Sequence, residues 1–135
     1  MNSYDPQTGR WATDGDRYEA LLQSRPEYRT VDMTAKGDPE RAWPVLLRLV
    51  GEIDEDLADH LGASEMEDFV RGHGAAFIDR IEERAREDPM FRACLSCIWL
   101  REGDLPAGVQ RRLLEVTGGA ILVFSREEME EQEGP

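Results

Sequence analysis

Three groups of residues carry side chains able to do chemistry. They are the run EIDEDLADHLGASEMED at 52–68, His73 between Gly72 and Gly74, and the pair Cys94 and Cys97. The first run holds eight carboxylates and one histidine, with no lysine or arginine. Such a run can hold a metal, receive a basic protein surface, or form the wet side of a helix. Spacing disposes of the metal. A calcium loop needs a glycine at its sixth position and a glutamate at its twelfth, whereas DEDLADHLGASE places its glycine ninth. The two histidines, His60 and His73, are too far apart for an H-E-x-x-H or H-x-x-x-H pair. No metal and no cofactor is therefore expected.

The other two options stay open for the run. Acids in a first helical turn are favoured by the helix dipole, which suits a solvated face. Like charges at i,i+4 nevertheless oppose each other by a few tenths of a kcal/mol, so leaving out every base has a small cost. On that ground Asp54, Glu55, Asp56, Asp59, Glu65, Glu67 and Asp68 are expected to contact a basic protein partner.

Histidine is a common acid–base group, and flanking glycines permit close approach of a ligand. A small-ligand or enzymatic site would combine His73 with Asp79 or Glu82. No nucleophile elbow, phosphate loop or dinucleotide fingerprint accompanies it, so no catalytic residue is assigned. Cys94 and Cys97 have the redox spacing, but reactive versions sit at a helix N-terminus, where the dipole lowers the thiol pKa. Here Cys94 lies six residues beyond the capping residue Asp88, in an apolar stripe. It is expected to be a small buried hydrophobe.

These residues need elements to hold them. The chain has 135 residues, 40% hydrophobic and 33% charged, which suits one domain with its own core. Its net charge of −13 argues against direct binding of nucleic acid or of an anionic membrane. The longest apolar run, Ala120–Phe124, is far too short to span a bilayer. With no export-type opening and two cysteines, the expected location is cytoplasmic.

The expected fold is all-α: six or seven short helices packed as stacked hairpins, with 120–124 as a short extended C-terminal arm lacking a partner strand. Residues 1–12 are expected to be flexible, 13–124 to form a single helical domain, and 125–135 to be an acidic disordered tail. The first helix starts at a cap on Asp14 or Asp16, and Tyr28, Val31 and Met33 form a short extended piece. Asp38–Pro39 is a cap with a first-turn proline, although Pro44 moves the expected helix start towards Trp43. The helix breaks near Asp54 and stops at Gly62, and Ser64 with Glu67 spells a capping box for the next one. Gly72–His73–Gly74 makes a sharp corner before a helix at 75–87. Asp88–Pro89 opens a helix that buries Phe91, Cys94, Leu95, Ile98 and Trp99. Pro106 starts a last helix through Val109, Leu113 and Val116, closed by Gly118–Gly119.

The run MEDFVRGHGAAFIDRIEERAREDPMFRACLSCIWL, residues 66–100, resembles a family of small bacterial proteins of uncharacterised function. The shared pattern is Glu-Asp, His-Gly, Phe-Ile-Asp-Arg-Ile-Glu, Asp-Pro-x-Phe-Arg and an apolar-Trp-Leu ending. A small-Gly-Pro turn associated with the family reads Ala63-Ser64-Glu65 here. The resemblance implies a helical domain and transfers no catalytic residue. The leading expectation is a non-enzymatic acidic module that docks a basic protein, as an immunity protein or a nucleic-acid-mimicking inhibitor does. The rivals are the His73 ligand site and a structural subunit of a larger assembly, whose sign would be an exposed apolar patch.

Overall fold

A computed structural model describes residues 13–125, together with the backbone of two short strands, β1 (Tyr4–Asp5) and β2 (Arg10–Trp11). These pair antiparallel, Tyr4 opposite Trp11. The remainder of the expected flexible segment 1–12, and all of the expected acidic tail beyond Ser125, lie outside the described residues.

The first helix, α1 (Asp14–Ser24), is capped by Thr13, whose hydroxyl accepts from the Asp16 amide at 3.0 Å. Asp14 and Asp16 thus sit in the first turn rather than at the cap, a place the helix dipole favours equally. Of the stretch expected to be extended, Tyr28 falls in a helical turn, α2 (Pro26–Arg29), started by its proline, whereas Val31 and Met33 follow it outside any helix or strand; Tyr28 and Met33 are buried. Asp38 caps α3 (Pro39–Glu52) by accepting from Glu40 N. Pro44 lies inside this helix, so the expected later start at Trp43 is not found. Proline removes one amide bond, but Pro44 and Glu40 both face solvent, where water can satisfy the freed carbonyl.

The helix breaks where expected. Asp54 caps a 3₁₀ turn (Glu55–Leu57) that leads into α4 (Ala58–Leu61). Gly62 does not stop the chain there. A π-helical turn (Gly62–Met66) carries α4 directly into α5 (Glu67–Glu87), with right-handed helical angles at every junction. The expected capping box is therefore absent. The Ser64 hydroxyl instead donates back to the His60 carbonyl at 2.6 Å, a bond that needs a helical turn before the serine. Gly62 is needed for another reason: a Cβ there would collide with the Cys94 carbonyl and the Cys97 side chain. The expected corner at Gly72–Gly74 is likewise absent, and His73 sits within α5.

Asp88 caps α6 (Pro89–Leu95), accepting from Met90 N and Phe91 N at 3.0 and 3.3 Å. This helix ends before Ile98 and Trp99. The chain continues as β3 (Trp99–Arg101), crosses over through α7 (Ala107–Val116) and returns as β4 (Leu122–Phe124). The two strands pair in parallel, Trp99 with Leu122 and Arg101 with Phe124. The 120–124 arm thus has a partner, supplied by the segment read as the end of a helix. A parallel pair requires such a crossover, and α7 provides it while packing on α5.

The fold is thus mostly helical, with one minimal βαβ unit at its C-terminal end. Trp43 of α3 packs against Phe69, Phe77 and Phe91 at centroid distances of 5.5–5.8 Å. Leu46, Leu49, Leu61, Met66, Ile81, Leu95, Ile98 and Leu113 are fully buried around these rings. Among the described residues, no helix is long and apolar enough to cross a membrane.

Candidate functional site

The acidic run occupies the 3₁₀ turn, α4, the π turn and the start of α5, and these elements divide it into three groups. Ile53, Leu57 and Leu61 bury one stripe, which turns Asp54, Glu55, Asp56 and Asp59 to solvent. Asp54 is paired with Arg17 at 2.7 Å. Glu55 and Asp56 have no cationic partner among the described residues, and Asp59 has only the His60 ring, at 3.9 Å.

The second group faces a hollow of about 480 Å³ that is also lined by Tyr28, Asp32 and Thr34. Glu65 accepts from the Tyr18 hydroxyl at 2.6 Å, and the Ser64 hydroxyl lies against the same carboxylate oxygen. Burial first, and the Glu65 charge second, push the Tyr18 phenol far above its usual value. Desolvation and then Glu65 push the Asp68 carboxyl up as well. Asp32, in contrast, is held low by the Thr34 hydroxyl and amide at 2.6 and 2.8 Å.

Glu67 forms the third group, and its role is internal. Its Oε1 accepts from the Trp99 amide at 2.7 Å, on the edge of β3 that faces away from β4. The Arg101 amide on that same edge donates to Asp104 at 2.8 Å. Arg71 bridges the two carboxylates, at 3.6 Å from Glu67 and 3.3 Å from Asp104. An unpaired strand edge is a template for unwanted pairing; here two side chains close it.

His73 is not joined to Asp79 or Glu82. Its Nε2 lies 2.8 Å from the Thr34 carbonyl and its ring packs on Phe69 at 5.3 Å. Gly72 beside it lets the 34–35 backbone lie directly on α5, where a Cβ would clash with Ala35. Glu82 is nine residues on, half a turn around the helix. Asp79 and Glu82 both grip Arg112 of α7, at 2.7 and 3.0 Å. The histidine thus ties a loop to α5, and the two carboxylates tie α7 to it. Cys94 is fully buried, and burial pushes its thiol up to about 12. Among the described residues, no group of three or more histidines, cysteines and carboxylates is placed to hold a metal ion.

Trp99, expected inside a helix, is instead exposed because it lies on β3, and it stands beside Leu122, which the sequence did not single out. They are 51% and 50% exposed, large apolar side chains paired across the parallel sheet. Trp99 stands between two hollows that share Ala63. One, of about 290 Å³, is walled by Leu100, Phe124 and Glu67; the other, of about 640 Å³, by Asp59, Ser64, Cys97 and Leu122. The signal was present in two β-favouring runs, Ile98–Leu100 and Ala120–Phe124, read together rather than apart. The acidic turn and the apolar groove meet at Asp59. No curated protein and no solved structure matches the chain. A family model matches from within α1 to the approach of β4, taking in the acidic turn, Trp99 and the crossover alike. Over residues 18–120 the chain belongs to a family of unknown function, DUF6869.

Proposed function

We propose that this chain is a non-enzymatic docking module whose acidic turn, Glu55–Asp59, receives a basic protein surface. One observation carries the reading: how the arginines are distributed. Arg17, Arg25, Arg29, Arg48, Arg71, Arg80, Arg84, Arg86 and Arg112 each pair with a carboxylate of the fold itself. Glu55, Asp56 and Asp59 project from one short exposed turn without such a partner among the described residues. Exposed like charges steer a partner of opposite sign and raise its association rate. The free carboxylates occupy barely more than one helical turn, a compact patch rather than a phosphate-like row. This favours an immunity-type inhibitor of a basic protein over a mimic of nucleic acid.

The test is affinity capture from the native host at low and at moderate salt, with a second bait carrying Glu55→Gln, Asp56→Asn and Asp59→Asn. A basic protein retained by the natural bait, and lost both with salt and with the neutralised bait, is the expected result. Identical captures by the two baits would end the reading.

A further inference from the structure

The docking reading leaves open what the partner presents besides charge, and the groove around Trp99 bears on that. Trp99 and Leu122 are the large apolar side chains left most open by the described fold. They are held rigidly: β3 pairs with β4 on one side and is fixed by Glu67 and Asp104 on the other, and the Trp99 ring rests on Phe124 at 5.3 Å. Burying such a pair is favourable at roughly 25 cal/mol per Å², so the groove suits a docked apolar side chain. Its border restricts the occupant. Asp59 lines the larger hollow, and Glu55 and Asp56 precede it by one turn. A second copy of a chain with net charge −13 would bring like charges together along this border. A basic segment would neutralise them. The smaller hollow is close to neutral, because its two cations, Arg71 and Arg101, are offset by Glu67 in its wall and by Asp104 beside Arg71.

We propose that the Trp99–Leu122 groove seats an extended basic segment of the partner carrying one large apolar residue. That residue enters the Ala63–Trp99–Phe124 hollow, and an adjacent arginine or lysine lies against Asp59. The inference rests on the docking reading and adds an apolar anchor to it.

The experiment is selection of a randomised peptide display library on the full chain, followed by anisotropy titration of the enriched peptides. Enriched peptides are expected to combine arginine or lysine with one leucine, isoleucine, methionine or aromatic residue. Changing that residue to alanine is expected to weaken binding roughly tenfold, the ratio for burying one such side chain. Trp99→Ala should erase that ratio, Trp99→Phe should keep most of it, and Asp59→Asn should reduce the salt dependence. Thermal melts confirm that the variants fold. Basic peptides without an anchor that bind wild type and Trp99→Ala alike would overturn the groove while leaving docking at Glu55–Asp59 intact. Enrichment of acidic peptides, or of none, would overturn both. Sedimentation showing self-association that Trp99→Ala abolishes would make a second copy the occupant and overturn the proposal.

Discussion

Glu67 separates a structural role from a docking role, and replacing it measures which one holds. In Glu67→Ala the Trp99 amide loses a carboxylate acceptor at 2.7 Å, and Arg71 loses one of its two partners. A hydrogen bond to a charged group contributes about 1.5–3 kcal/mol. The half-exposed Arg71 pair adds at most about 1 kcal/mol. Because Trp99 itself is open to water, which can replace part of the bond, the sum falls near about 2 kcal/mol. Glu67→Gln keeps an oxygen acceptor and loses only the charge, so its cost is about half as large. Urea titration of the three proteins reads both differences, and amide exchange at Trp99 places them: protection there should fall in Glu67→Ala and largely persist in Glu67→Gln. If Glu67→Ala were as stable as wild type, with Trp99 still protected, the closed β3 edge would be an incorrect account. Glu67 would then return to the set of free contact carboxylates.

Other outcomes follow from the same structure. Gly62→Ala places a methyl group against the Cys94 carbonyl and the Cys97 side chain, so thermal unfolding should show a loss of about 1–3 kcal/mol, and an unchanged melt would refute the close approach. Phe91→Ala empties a fully buried ring site beside Trp43 and should cost about 3–5 kcal/mol in a denaturant titration. Cys94, with its thiol pushed up to about 12, should resist a thiol reagent at neutral and mildly alkaline pH and react only after unfolding; fast native labelling would contradict its burial. Asp32, Glu40 and Glu82 are held below the usual carboxylate range by Thr34, Arg80 and Arg112 respectively. Their contribution is complete above the ordinary carboxylate pKa of about 4 and is lost as pH falls through the depressed values. The urea midpoint should therefore drop on strong acidification, and Arg112→Met should flatten that limb; an identical limb in the variant would remove Glu82 as a cause.

What could be read from the sequence was set by local rules. Asp38–Pro39 and Asp88–Pro89 act within one turn, through an oxygen two or three residues from the amide it caps, so they appear in the chain as in the fold. The same holds for the stop at Gly118–Gly119 and for the stripe Ile53, Leu57, Leu61. The buried state of Cys94 followed from its place in such a stripe. The total charge and the absence of bases from 52–68 needed no structure at all.

Tertiary packing decided the rest, and in each case a distant partner overrode a local signal. Gly62 and the Gly72–Gly74 pair look like helix ends, yet each glycine at 62 and 72 is required where another backbone presses on a continuing helix. Ser64 and Glu67 spell a cap, but once the π turn keeps the chain helical, their oxygens serve His60 and Trp99 instead. Ile98–Leu100 and Ala120–Phe124 are ambiguous runs separately, and only their pairing across α7 makes either a strand. Pairing is also what leaves Trp99 and Leu122 standing open beside Asp59. Composition determined that this protein carries a strong negative charge; which carboxylates remain free of partners, and what lies next to them, depended on where the arginines came to rest.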